Sequence, residues 1–139
     1  MILHISGHLD LTKEEFDCHY KQAIDEAIKK EKWFVIGDAQ GADEMAQKYL
    51  YEQRYTKVII FHMFENPRKF MGNFYVFGGF NSDLERDVAM TLYSNGDIAW
   101  VRAGREKSGT AKNLDRRLRL KTARYCFDHL FELKVYEKR

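Results

Sequence analysis

Three glycine-bearing turns hold the residues of this 139-residue chain that are best suited to chemistry. Each follows a short apolar run, and the turns are Ser6-Gly7-His8, Gly37 to Asp43 and Gly104 to Thr110. Glycine lets the backbone approach a ligand closely and adopt positive φ. The third turn leads into a helical pattern, and a helix start offers unpaired N–H groups and a partial positive charge. Three such turns favour an anion site over ordinary connecting loops.

The elements that must position these turns alternate between strands and helices. The predicted strands are Ile2–Ile5, Trp33–Ile36, Val58–Phe61, Asp97–Val101 and a last one over Phe131–Val135. Helical patterns lie between them. The first is opened by a capping box of Thr12 and Glu15, and the last runs from about Thr110 to Leu130. This order predicts an α/β domain of three layers, with a Rossmann-like, doubly wound parallel sheet of about five strands in the order 3-2-1-4-5.

The topology predicts where a ligand binds. Ligands of such sheets lie outside the carboxyl ends of the strands, where the strand order reverses. We therefore expect a site between the first and fourth strands, at the edge that all three turns share.

The segment 64–81 leaves the third strand at that edge, and we expect it to be irregular. It holds six aromatic residues, with Arg68 and Asn73 as polar groups among them. One interpretation is a lid whose rings stack on a base, opened by the Gly78-Gly79 pair. The interpretation that we favour for most of the rings is a loop that extends the core or forms a dimer surface.

Composition limits the class of protein. Residues 1–139 fit a single domain, and 45% hydrophobic with 32% charged residues is typical of a globular chain. There is no run of 18 uncharged apolar residues, so no membrane span is expected. The net charge of +2 does not indicate a nucleic-acid partner. The spacing of Cys18 and Cys126 indicates no disulfide, which favours a reduced, cytoplasmic compartment. The histidines have no metal-ligand spacing, so no metal or other cofactor is predicted.

Two stretches resemble branches of the SLOG superfamily. Residues 34–43, which end in Gly37-Asp38-Ala39-Gln40-Gly41-Ala42-Asp43, resemble the glycine-rich element of its YspA-like branch. A second pattern is similar to the Lonely Guy lysine-decarboxylase-like branch, and it consists of Glu85-Arg86-Asp87, Met90, Asp97-Ile98-Ala99, Gly104 and Ser108-Gly109-Thr110. The two matches span roughly residues 2–115. Ala103-Gly104-Arg105 stands where that branch has proline-glycine-glycine.

This resemblance implies a Rossmann-like fold that binds nucleotides or nucleotide-derived sugars, in a homo-oligomer. Enzymes of the family cleave an N-glycosidic bond and release a free base. Carried over by position, the phosphate-binding residues are Gly104, Ser108, Gly109 and Thr110, and Arg86 reaches the phosphate or ribose. The catalytic glutamate of the family falls on Asn113.

The asparagine leaves two functions open. It can hydrogen-bond a hydroxyl but cannot supply the negative charge that stabilises an oxocarbenium-like state. The first function is binding of a nucleotide or ADP-ribose-type ligand, as a sensor, carrier or sequestering protein. The second is an N-glycosidic hydrolase or transferase acting on nucleoside monophosphates, in which Glu85 or Asp38 is the carboxylate. A protein-binding module without a nucleotide ligand is a third, weaker hypothesis.

The turns and the resemblance together define a set of expected ligand-binding residues. They are Ser6, Gly7, His8, Gly37, Asp38, Gly41, Asp43, Arg86, Gly104, Arg105, Ser108, Gly109, Thr110 and Asn113. Two of them have a structural interpretation as well. His8 is equally a turn residue with a satisfied ring, and Asp43 is equally a helix-capping residue.

Overall fold

The fold is an α/β sandwich built on a five-stranded parallel sheet, and the structure, a computed structural model, describes residues 1–121. The sheet order is β4-β3-β2-β1-β5. The strands are β1 (Ile2–Ile5), β2 (Trp33–Gly37), β3 (Val58–Met63), β4 (Tyr75–Phe80) and β5 (Gly96–Ile98). This confirms the predicted fold class, and the first four predicted strands have the predicted order 3-2-1-4. The expected last strand, 131–135, lies outside the described residues.

The segment 64–81 differs from its prediction, because it contains the edge strand β4. Tyr75, Val76 and Phe77 have high strand propensity, but the following Gly78-Gly79 pair is typical of a loop. The structure accommodates the pair with an irregular register opposite Phe61 and Met63. A Cβ on Gly78 would collide with the ring of His62, so glycine permits this close approach.

Helices connect the strands on both faces of the sheet. They are α1 (Lys13–His19), α2 (Lys21–Lys29), α3 (Ala42–Glu52), α4 (Asp83–Tyr93) and α5, which begins at 109 and is helical up to 121, the last described residue. The first predicted helix is in fact two, because the backbone of Tyr20 leaves helical geometry at φ −122°. The Tyr20 hydroxyl donates to Ser6 O at 2.7 Å and accepts from Trp100 N at 3.1 Å, which joins the two helices to the end of β1.

The core lies in two layers, as side-chain alternation along the central strands requires. Ile5 and Ile36 pack with α1, α2 and α3 on one face. Val35 and Phe61 pack under α4 on the other face. No helix within residues 1–121 is long and apolar enough to cross a lipid bilayer. The two layers bring the starts of α3, α4 and α5 to the same edge of the sheet.

Candidate functional site

A pocket of about 470 Å³ lies at the carboxyl ends of β1 and β2, beside the starts of α4 and α5. Its volume is in the range of about 300–1,000 Å³ that is common for small-molecule sites. It gathers most of the expected ligand residues, namely Ser6, Gly7, His8, Asp38, Asp43, Arg86, Arg105, Ser108, Gly109, Thr110 and Asn113. The residues that the three turns contribute therefore share one cavity.

Four expected residues do not line the pocket: Gly37, Gly41, Gly104 and Glu85. A Cβ on Gly37 would collide with Asp43, and one on Gly41 would collide with the His8 carbonyl. These two glycines therefore serve close packing within the protein. Gly104, at φ +87°, donates its N–H to Glu106 Oε1 at 2.9 Å.

Glu85 has a local structural role. Its Oε2 accepts from Asn81 N at 3.2 Å, while its own N–H donates to Ser82 Oγ at 3.0 Å. The pair caps the first turn of α4. The Glu85 carboxylate is therefore occupied at the helix start.

The start of α5 presents some of the unpaired N–H groups that an anion site requires. Ser108 caps the helix: its Oγ accepts from Ala111 N at 3.2 Å, and its own N–H donates to Arg105 O at 3.0 Å. The N–H groups of Gly109 and Thr110 have no hydrogen-bond acceptor within residues 1–121. A Cβ on Gly109 would meet nothing within 4 Å. Of the three consecutive amides of Ser108, Gly109 and Thr110, the last two are therefore available to a ligand, and that of Ser108 is not.

Asp38 is a fully buried carboxylate that two guanidinium groups share. Its Oδ1 accepts from Arg86 Nη1 at 2.8 Å and from Arg68 Nη2 at 3.0 Å, and its Oδ2 accepts from Arg68 Nε at 3.2 Å. Burial raises the pKa of Asp38, but hydrogen bonds from Arg68, Arg86 and Met63 N outweigh it and hold the pKa at about 2. A carboxylate that is ionised and paired in this way organises the pocket wall, rather than offering a free lone pair to a substrate.

Asp43 is a buried carboxylate of the pocket whose pKa is raised toward neutral pH. It lies in the first turn of α3, it is 7% exposed, and its Oδ2 accepts from Ala39 N at 3.2 Å. Burial raises the pKa of Asp43 to about 6, against the opposing charge of Arg86. A buried carboxylic acid with such a pKa is suited to proton transfer.

The cations of the pocket differ in how freely they can meet a ligand. Arg86 is 5% exposed, and it donates to Asp38 and to Asp87 Oδ1 at 3.1 Å, so its charge is largely compensated. Arg105 and Lys69 are about half exposed, and their ion-pair contacts within residues 1–121 are long, 3.6 Å to Asp10 and 3.8 Å to Glu44. These two side chains can turn toward an anion. The sequence did not indicate Lys69 as a ligand-binding residue, although its loop follows β3 at the edge of the sheet where the pocket lies.

His8 lines the pocket as a neutral ring. Its Nε2 accepts from Arg102 N at 2.9 Å, which assigns the ring proton to Nδ1. Burial, with the charges of Arg105 and Arg102, lowers the pKa of His8. Arg102 itself forms a bidentate pair with Glu15, at 2.8 and 2.7 Å, and so fastens the loop after β5 to α1. Asn113 is buried, and its Oδ1 accepts from Arg116 Nη1 at 2.8 Å.

His4 lines the pocket too, and sequence reasoning missed it. It lies within the apolar run of β1, where a single histidine resembles an ordinary interior residue.

The six aromatic residues of 64–81 do not line the pocket. Phe74 and Phe80 join the core, whereas Phe64, Phe70, Tyr75 and Phe77 are exposed. Within residues 1–121, no three His, Cys, Asp or Glu side chains are grouped to hold a metal ion.

Comparison of the chain with protein-family models, with curated proteins and with solved structures found no match. The function is therefore inferred from the geometry of the pocket, and the resemblance to SLOG proteins stays an expectation.

Proposed function

We propose that the pocket binds a nucleotide or a nucleotide-derived, ADP-ribose-type ligand through its phosphate. The observation that carries this proposal is the start of α5, where the N–H groups of Gly109 and Thr110 border the pocket without an acceptor in the described chain. Unpaired amides and the positive end of the helix dipole together favour a phosphate. The protein then acts as a sensor, carrier or sequestering protein of the SLOG type.

The charge of the pocket rim supports the same ligand class. In the described part of the chain, the ionic contacts of Arg105 and Lys69 are long, so either can pair with a phosphate at little cost in lost interactions. The hydroxyl of Thr110 adds a donor beside the free amides. We also propose self-association in a cytoplasmic setting, with the exposed side chains of Tyr75, Val76 and Phe77 on β4 as the contact surface.

A second candidate function is cleavage or transfer of the N-glycosidic bond of a nucleoside monophosphate. Asp43 favours it, because this pocket carboxylate has a pKa of about 6. Neither expected carboxylate suits the role as well. Glu85 does not line the pocket, and both oxygens of Asp38 are engaged by arginines. We therefore assign the acid–base role in this alternative to Asp43.

A matched pair of variants at one position tests the phosphate site. Gly109→Pro removes one free N–H, and proline is well tolerated at the first helical position. Gly109→Ala keeps the N–H, and there is room for its Cβ. Binding of AMP and ADP-ribose is measured by calorimetry and by the shift in Tm. Both ligands should stabilise the wild type and Gly109→Ala.

Gly109→Pro should bind roughly ten- to a hundredfold more weakly, since a hydrogen bond to a charged group is worth about 1.5–3 kcal/mol. Equal affinity of the two variants, or no binding of either ligand to the wild type, contradicts the proposal. Chromatography of the same mixtures for free base distinguishes binding from turnover.

A further inference from the structure

Two buried polar side chains, one in β1 and one directly after it, have unsatisfied hydrogen-bonding atoms at the pocket within residues 1–121. His4 is fully buried and Ser6 is 6% exposed, and both line the cavity. They lie two residues apart, so their side chains share one face of the strand. Within residues 1–121, the two ring nitrogens of His4 have no aligned hydrogen-bond partner, and the Oγ of Ser6 has none either.

Such groups are costly for a folded protein. An unpaired buried donor or acceptor costs about 1–3 kcal/mol, and most native polar groups are satisfied. Two of them side by side at a cavity indicate that a bound molecule supplies the missing partners. This observation is independent of the amides at the start of α5.

Two charged neighbours orient the His4 ring. Asp97 pairs with His4 in the register of β1 and β5, and its Oδ1 lies 3.4 Å from His4 Nδ1. Its Oδ2 accepts from Arg117 Nε at 3.0 Å. Arg117 is held in turn by the carbonyl oxygens of Thr91 and Ser94, at 3.0 and 2.8 Å. A carboxylate beside Nδ1 favours a proton there, which leaves Nε2 as an acceptor.

Resting on the phosphate site proposed above, we propose that His4 and Ser6 form a hydroxyl-binding subsite. The ligand is then a phosphate ester with a free hydroxyl on its carbon skeleton, either a sugar phosphate or the sugar-phosphate part of a nucleotide. An ionised phosphate has no proton to donate to His4 Nε2, whereas a hydroxyl both donates and accepts. The nearby carboxylates of Asp43 and Asp87 are further acceptors for hydroxyl protons.

Calorimetry with methyl phosphate, ribose 5-phosphate and AMP tests this subsite. Methyl phosphate carries the anion without a hydroxyl, so ribose 5-phosphate should bind the wild type at least tenfold more tightly. Ser6→Ala should reduce that ratio several-fold. The Tm of unliganded Ser6→Ala should be unchanged or raised, because the removed hydroxyl has no hydrogen-bond partner among the described residues.

Tyr55→Phe is the matched control, since the Tyr55 hydroxyl donates to Lys32 O and the residue lies outside the pocket. It should lower the Tm and leave the ratio of affinities unchanged. His4→Asn removes the acceptor at Nε2 and should reduce the ratio, whereas His4→Gln keeps an acceptor there and should retain part of it.

The outcomes distinguish the two proposals. If AMP binds but ribose 5-phosphate binds no more tightly than methyl phosphate, or if Ser6→Ala leaves the ratio unchanged, the hydroxyl subsite is wrong and the phosphate site stands. If none of the three ligands binds the wild type, the phosphate site is wrong and the subsite that rests on it is wrong as well.

Discussion

Asp38 and Arg86 lie 48 residues apart in the chain, yet their Oδ1 and Nη1 atoms are 2.8 Å apart in the pocket wall. The same carboxylate binds Arg68, which lies between β3 and β4. One buried acidic side chain therefore connects the end of β2, the first turn of α4 and the β3–β4 connection. The shape of the pocket depends on this junction.

Asp38→Asn should destabilise the protein strongly. The substitution leaves Arg86 buried without its full counter-charge, and breaking a buried pair in this way costs about 3–5 kcal/mol. Chemical denaturation at neutral pH measures the change. Asp83→Asn is the control, because Asp83 contacts the same two arginines from an exposed position and should cost no more than about 1 kcal/mol. Equal losses for the two variants would mean that Asp38 does not organise the wall.

Asp43 should make stability fall as the pH rises from about 4 to 6. Its pKa is raised from 3.8 to about 6, so the folded protein holds a proton that the unfolded chain has already lost in this range. The free energy of unfolding should therefore decrease by about 2 kcal/mol between pH 4 and 6. Asp38, whose pKa is about 2, gives the opposite slope, with stability lost only as the pH falls below about 4.

Asp43→Asn isolates this contribution. Urea unfolding of the wild type and the variant at pH 4, 5, 6 and 7 gives their difference in stability, which should change by about 2 kcal/mol between pH 4 and 7 in favour of the variant. A difference that is independent of pH contradicts the raised pKa.

Arg105→Gln should weaken AMP binding about tenfold, because it removes a half-exposed cation at the pocket rim. The substitution should change the Tm little, since the ionic contact between Arg105 and Asp10 is long. Arg119→Gln removes an arginine that is 80% exposed and pairs with Asp115 on α5, and it should leave the affinity unchanged. Raised salt should weaken binding more in the wild type than in Arg105→Gln.

Substitution of two carboxylates should separate their roles in any release of free base from nucleoside monophosphates. Asp43→Asn should abolish it, because that side chain lines the pocket and can exchange a proton. Glu85→Gln should retain it, because Glu85 accepts from Asn81 N outside the pocket and glutamine preserves that cap. The reverse result would return the catalytic role to Glu85.

The sequence predicts the sheet and the edge at which the pocket lies, because both follow from simple patterns. Short apolar runs alternate with helical periodicity, and this alternation requires a parallel sheet with helices on both faces. The glycine-bearing turns after β1 and β2 then fall at one edge. The sequence also predicts a helix from about Thr110, and α5 begins at 109.

The remaining features depend on contacts that no local pattern reveals. The strand β4 was missed because Gly78-Gly79 is typical of a loop, and the break at Tyr20 has neither glycine nor proline. His4 carries no signal within an apolar strand. The pairing of Asp38 with Arg68 spans 30 residues and becomes visible only in the folded chain.

The anchoring of α5 by Arg117 has a kinetic consequence. The arginine lies about two turns below Gly109 and fastens the helix to the end of α4 and to β5. The rim at which we propose that an anion binds is thus preorganised, and little entropy is lost in ordering it when a molecule arrives. Association should then be limited by diffusion to the rim, rather than by a slow rearrangement of this wall.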